Sequence, residues 1–409
     1  MRVAGALLIL CLVAIVALHH GKVAVGLNGI LWSAAVIART AGTFGLDLIS
    51  LRAIATVQEQ GRDIGPIAAR YRSVLFRIWA VCISVVLLIC FVIAFWSSEV
   101  ATVLLICLIA CAASGMQRLW YVHMIASGRI HLAQSIESVG LPLLAIVGAL
   151  LTSGAGVAAL LISQAVAYLI TGIAFWLLSP GRGAVPAKDH RIIWRAVSTN
   201  FFASAFTAIA VRAPIFFVGA TSAASAGAYE IAQRVQSAGS LGVTAVSTSV
   251  LPVLARTAKS ARRRTMGLQL AGMGVLACLM PATLLMGLLL IGEDRARGIL
   301  GDEYGDVWLP TTILMVAALV NASTSCISNL LAVSSLESSF LATSALQLCV
   351  LLATLAWLQD ASPLSASIAV LVSEAVRSLG LVVAFIVKYQ PLESPHGISN
   401  EKMSMNELD

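Results

Sequence analysis

A chain of 409 residues with 59% hydrophobic and only 11% charged residues, at a mean hydropathy of +0.94, cannot cover an aqueous surface; soluble domains carry roughly 25% charged residues. Its solvent is lipid, in which only helices and closed barrels satisfy their own backbone. The formal charge of +7 sits in short segments between apolar runs, without a basic stripe or interleaved aromatics, and this excludes a nucleic-acid surface.

In chain order, apolar runs between charged or Gly/Pro-rich breaks predict twelve membrane-crossing helices, at 3–18, 23–50, 73–95, 101–122, 134–152, 157–178, 197–218, 226–254, 266–291, 307–333, 338–358 and 363–387. The first run follows Met1-Arg2 in the manner of a signal peptide. With eleven more runs behind it, it reads instead as a first transmembrane helix. It is short for a full span, so either the start lies upstream or the helix is shortened. No connection exceeds about twenty residues, which leaves no room for a separate soluble domain. The expected fold is an all-α integral membrane protein of about twelve helices.

Lysine and arginine placement sets the orientation. With the N-terminus inside, the inside segments carry 18 of these cations and the outside segments 3, namely Lys22, Arg295 and Arg297. Both termini are therefore expected on the cytoplasmic side of the membrane. The outside segment 292–306 is acidic. Its GDEYGD string (301–306) lacks the regular spacing of a calcium loop and reads as a solvated acidic loop.

An internal repeat links the sixth and twelfth spans. ALLISQAVAYLITGIAF (159–175) and AVLVSEAVRSLGLVVAF (369–385) agree at a constant offset of 210, at Ala159/Ala369, Leu161/Leu371, Ser163/Ser373, Ala165/Ala375, Val166/Val376, Leu169/Leu379, Ala174/Ala384 and Phe175/Phe385. This pairs two six-helix halves of the same orientation. The domain plan is an N-terminal lobe at 1–178, a Gly/Pro-rich cytoplasmic linker at 179–196, a C-terminal lobe at 197–388 and a cytoplasmic tail at 389–409.

All eight cysteines fall inside apolar runs without a histidine partner at metal-ligand spacing, so they read as packing residues and no metal site is expected. Nucleophile elbow, P-loop and HExxH patterns are absent, and no catalytic residue is assigned. Charges inside spans are expensive, and each is a candidate for function. Arg39 is placed deep in the second span, with Asp47 nearer its cytoplasmic end. Arg212 stands six residues before the end of the seventh span, next to the helix-bending Pro214. In the eighth span, AYEIAQRVQSAG places Glu230 and Arg234 one turn apart, with Gln233 and Gln236 on adjacent faces. Glu374 and Arg377 are spaced i,i+3 near the middle of the twelfth span, which makes this pair the leading coupling candidate. For each of these, cavity lining stands against the alternatives of snorkelling, helix–helix packing or an ion pair that eases insertion.

At FGLDLISLRAIA (44–55), AGAYEIAQRVQSAGSLGVTAVSTSVLPVLAR (226–256) and ILGDEYGDVWLPTTILMVAALVNA (299–322), the chain resembles the bacterial O-antigen and exopolysaccharide repeat-unit flippases of the Wzx type. These belong to the multidrug/oligosaccharidyl-lipid/polysaccharide exporter superfamily. The resemblance covers nearly the whole chain through diffuse motifs, and departs at the short first helix. It implies two lobes around a central cavity. It also implies an undecaprenyl-diphosphate-linked oligosaccharide moved between leaflets by alternating access. A diphosphate needs a cationic path, for which Arg39, Arg212, Arg234 and Arg377 are the available residues, with Asp47, Glu230 and Glu374 as coupling or ion-pair candidates. No cofactor is expected beyond a coupling ion, H+ or Na+. The expected partners are the lipid-linked oligosaccharide, membrane lipid and other polysaccharide assembly proteins. An exporter of drugs or of another lipid-linked precursor is the alternative. A membrane polymerase is disfavoured by the short outside loops, and a major-facilitator transporter by the absence of a glycine–aspartate–arginine loop after the second span.

Overall fold

The computed structural model describes residues 2–59, 61–94, 98–180, 184–186, 194–257, 263–300, 306–333 and 337–388. The tail expected at 389–409, linker residues 181–183 and 187–193, and residues 301–305 of the acidic loop lie outside the described residues. The described chain is helical and without strands: α1 (Arg2–Ala41), α2 (Leu46–Glu59), α3 (Gly65–Ala94), α4 (Ser98–Ala126), α5 (Ile130–Ser135), a π-helical segment (Ile136–Gly140), α6 (Leu141–Leu151), α7 (Val157–Leu178), α8 (Trp194–Thr221), α9 (Ala223–Thr257), α10 (Arg263–Leu300), α11 (Trp308–Val333), α12 (Glu337–Leu358) and α13 (Pro363–Lys388).

Helix α1 is a hairpin of two arms, 2–20 and 22–41. Gly21 breaks it with φ 80° and ψ 175°, a conformation that glycine adopts without a Cβ penalty. Two contacts prove the reversal. Gly5 packs against Ser138, while Arg39 pairs with the adjacent Glu137. On one straight helix those two residues would lie about 50 Å apart. The two arms of α1, the continuous rod α5–π–α6, and α3, α4 and α7 through α13 make twelve crossings.

The second crossing ends earlier than the expected 23–50. A turn at 42–45, with Phe44 at φ 53° and Gly45 at φ 75°, closes the arm at Ala41. Gly45 is forced by more than its dihedral, because a Cβ there would sit 2.3 Å from the Val197 carbonyl oxygen. After this turn the chain enters the separate helix α2, which buries Leu46, Ser50 and Ile54 at i, i+4 and i+8 and exposes Gln58. Arg39 therefore lies in the last turn of its arm, and Asp47 in the first turn of α2.

The two halves repeat one packing plan. At the offset of 210, α4 corresponds to α11, α6 to α12 and α7 to α13. The pairs α4–α7, α6–α7 and α3–α4 recur as α11–α13, α12–α13 and α10–α11. Buried positions also repeat: Leu160, Gln164, Ala167, Tyr168, Thr171 and Phe175 on α7 answer to Val370, Glu374, Arg377, Ser378, Leu381 and Phe385 on α13. One large apolar cluster fills the first half around Leu12, Leu31 and Leu160, and another fills the second around Ile215, Leu314 and Leu351.

The halves meet most closely where the second arm of α1 packs against α9. A Cβ on Gly26 would fall 1.9 Å from the Ala223 carbonyl oxygen, and one on Gly227 would fall 2.3 Å from that of Lys22. Small residues let the backbones touch here, so dispersion and close packing replace the side-chain layer. Lys22 Nζ also donates to Asp306 Oδ1 across the halves at 3.0 Å. The ends of the bundle near Lys22, Ala223 and Asp306 form one face. Residues 2, 41–59, 61–65, 126–130, 178–180, 194 and 388 mark the opposite, cation-rich face.

Candidate functional site

Between the halves lies a cavity of about 410 Å³ into which four arginines converge: Arg39 from α1, Arg118 from α4, Arg212 from α8 and Arg234 from α9. Three aromatic side chains, Trp32, Tyr121 and Tyr168, complete its wall, and Glu137 is the one carboxylate among the described lining residues.

Arg234 is 7% exposed and pairs with Glu230, which is 1% exposed. Its guanidinium lies 5.2 Å from the centre of the Trp32 ring, a contact that holds a desolvated cation in place. Gly29 is the reason Glu230 fits, since a Cβ there would approach its Cγ to 2.7 Å. Beside this pair, Arg212 Nη1 donates to Gln233 Oε1 at 2.9 Å, and Gln233 Nε2 donates to the Val211 carbonyl at 2.9 Å. Arg212 thus leans on a neutral amide, and no described carboxylate pairs with it. Its Nε is buried without a hydrogen-bond partner.

The second tier lies seven residues further along the same arm of α1, about 10 Å toward the cation-rich face. Arg39 pairs with Glu137 and lies 5.7 Å from the Tyr121 ring centre; Arg118 faces that ring at 5.6 Å. Arg118 Nε also donates to Asp47 Oδ2 at 3.3 Å, and Thr43 Oγ1 donates to Asp47 Oδ1 at 3.2 Å. Asp47 anchors Arg118 from behind and does not line the cavity.

Glu137 sits on the π-helical segment, where the Leu141 N–H reaches back to the Ile136 carbonyl. The local cause is Pro142, which has no N–H for the carbonyl of Ser138. That freed turn is where Gly5 makes its approach.

The four arginines carry one more charge than the three carboxylates that hold them, and the excess resides at Arg212. Such a surface is complementary in charge to a small anion, and its aromatic faces are of a kind that packs on flat or sugar-like groups. Directly beside it opens a second space of about 420 Å³ between the first arm of α1 (Leu10, Val13, Ala17) and α9, α10 and α11 (Ile231, Leu288, Trp308). Its lining is apolar except for Thr311, Arg297 and Arg234, and Arg234 belongs to both spaces.

Of the sequence candidates, Arg39, Arg212 and Arg234 come together in the cavity. Arg377 does not. It lies 7% exposed inside the second half, with Nη2 donating to Ser328 Oγ at 3.2 Å and Nη1 3.5 Å from Glu374 Oε2. Glu374 Oε1 accepts from Gln347 Nε2 at 2.7 Å, while Glu374 Oε2 and Gln347 Oε1 accept no hydrogen bond. The cavity residues that sequence reading missed are Arg118, counted there as an inside-loop cation, and Glu137 with its aromatic neighbours. Glu137 had a signal, an acid three residues inside the span expected at 134–152 with Pro142 after it. The aromatics had none, because apolar spans contain such residues for packing alone.

No protein-family model matches the chain, and no curated protein matches it in sequence. Solved structures do. A multidrug resistance MATE family transporter of the MOP superfamily, in an inward-facing conformation, aligns with TM-score 0.73 at 13% identity over 96% of both chains. A MOP superfamily transporter from Pyrococcus furiosus, described by a reverse-polarity binding pocket, aligns with TM-score 0.66 at 14% identity over 94% of this chain and 93% of that one. The lipid II flippase MurJ, in an inward closed conformation, aligns with TM-score 0.60 at 11% identity over 88% and 85%. At these identities the likeness is one of fold: the chain has the twelve-helix architecture of MATE and MurJ transporters.

Proposed function

We propose that this protein is a transporter, and that it moves an undecaprenyl-diphosphate-linked oligosaccharide across the bacterial inner membrane by alternating access, both termini lying in the cytoplasm. The observation that carries the reading is the junction at Arg234. A cationic cavity and an apolar crevice open side by side and share that one residue. A ligand with a diphosphate between a sugar head and a polyprenyl tail has the same order of parts. The diphosphate meets Arg212 and Arg234, the sugar has Tyr121 and Tyr168 in reach, and the tail lies along Leu10, Val13 and Ala17.

The same cavity speaks against a cationic drug as the cargo. Its only described lining carboxylate, Glu137, is already engaged by Arg39. Glu374 and Arg377, outside the cavity, are left for coupling to H+ or Na+ rather than for holding the anion. The lipid II flippase among the solved structures of this fold lends weight to a lipid-linked cargo.

The test is polysaccharide display in cells that depend on this chain. Arg212→Gln, expressed at the wild-type level, should abolish display, and Arg212→Lys should retain part of it, because the charge survives while the planar fork is lost. Full display from Arg212→Gln would overturn the reading.

A further inference from the structure

Resting on the anion-cavity reading above, we propose that Glu137 is a built-in counter-anion, which holds Arg39 until the substrate's anionic group displaces it. Four arginines face three carboxylates, so a diphosphate with two acidic oxygens overfills the single excess charge at Arg212. The second charge can take an arginine only from a carboxylate that reaches water on release, since a displaced carboxylate left in a dry site would itself be an uncompensated charge.

Geometry selects which one. Glu230 is 1% exposed and enclosed behind Gly29, and Asp47 is 7% exposed and tied to Thr43 and Arg118. Glu137 alone lines the cavity, and its side chain is 23% exposed. It also sits where the backbone is least constrained by regular α-helical bonds, on the π-helical segment before Pro142. Arg39 stands at the tier nearer the cation-rich face, about 10 Å from Arg234 by the rise of α1. An anion entering from that face meets the masked arginine first and the unmasked Arg212 second. Masking weakens the first grip, so the anion passes inward instead of lodging at the mouth.

The experiment is titration of the purified full chain with pyrophosphate, read by calorimetry. An internal competitor lowers apparent affinity by the fraction of arginine it occupies. Glu137→Gln should therefore tighten pyrophosphate binding by at least about fivefold, the lower end of ordinary coupling between two ligands. Arg39→Gln should weaken binding, and adding Glu137→Gln to Arg39→Gln should gain much less than Glu137→Gln gains in the wild type, because only relief of charge repulsion remains. This non-additivity is what a merely structural role for Glu137 does not produce. Should Glu137→Gln fail to give a folded protein, Glu137→Asp, one methylene shorter, should shift affinity in the same direction by a smaller factor. Equal affinity in wild type and both Glu137 variants overturns this inference alone, as does a gain of the same factor with and without Arg39. No binding by the wild type or any variant overturns the anion cavity itself and this inference with it.

Discussion

Removing charge from the Glu230/Arg234 pair separates stability from transport. In the single variant Arg234→Gln, Glu230 is left 1% exposed, with Oε2 already lacking a hydrogen bond and Oε1 losing its arginine. An orphaned charge of this kind costs about 3–5 kcal/mol, and loss of the Trp32 cation–π contact adds about 0.5–2 kcal/mol. The folded-to-unfolded ratio should fall by a factor of a hundred or more, since about 1.4 kcal/mol is tenfold. The double variant Glu230→Gln/Arg234→Gln removes both charges and leaves two amides able to bond each other, so most of that loss should return. Transport should not return with it, because the cationic junction between cavity and crevice is gone. The paired assays are unfolding of detergent-purified protein and polysaccharide display at matched expression. A double variant as stable as wild type that also displays polysaccharide fully would refute the role given to Arg234. A single variant as stable as wild type would show that burial of Glu230 does not carry the cost assigned to it.

Gly26→Val should push α1 and α9 apart by about 1.5 Å to bring its Cβ from 1.9 Å to an ordinary 3.4 Å contact with Ala223; thermal unfolding of the purified protein should come at a lower temperature, and an unchanged unfolding temperature would count against close packing there. Reporter fusions at residues 185 and 300 should report opposite sides of the membrane, and the same side for both would break the twelve-crossing topology. Glu374→Gln/Arg377→Gln should leave pyrophosphate affinity within about twofold of wild type, because neither residue lines the cavity; a tenfold loss would place Arg377 on the substrate path.

Crossings are readable in the sequence wherever apolar length alone defines them. The run 157–178 is α7 residue for residue, and 338–358 and 363–387 differ from α12 and α13 by one residue at an end. The second crossing overruns to residue 50 in the sequence because GTFGLDLIS (42–50) carries a single charge and continues the apolar run past the helix end. The stop is written in Gly42 and Gly45, which mark a helix end. Arg39, Arg212 and Arg234 stand out because an arginine in a span has few tolerable surroundings. Arg377 stands out by the same rule, yet its partners, Glu374 and Ser328, both belong to its own half. Burial cost identifies charges that need protein around them; it does not say which interior surrounds them. Arg118 escapes for the converse reason. It lies in α4 close to the cation-rich face, where position along the chain cannot separate a loop cation from a cavity one.

The reversal at Gly21 joins the first arm of α1, which walls the crevice, to the second arm, which is fastened to α9 through Gly26 and Gly227. A single residue makes that joint, and a Cβ built on it would meet nothing within 4 Å. A joint so short works mechanically as the pivot of a pair of tongs. Any tilt of the first arm about that point would grow with distance from Gly21 and be greatest near Gly5, which is packed against Ser138 beside Glu137. Lengthening the joint by inserted glycines would leave every contact sterically possible while removing the leverage. The crevice would then open without the cavity mouth following it.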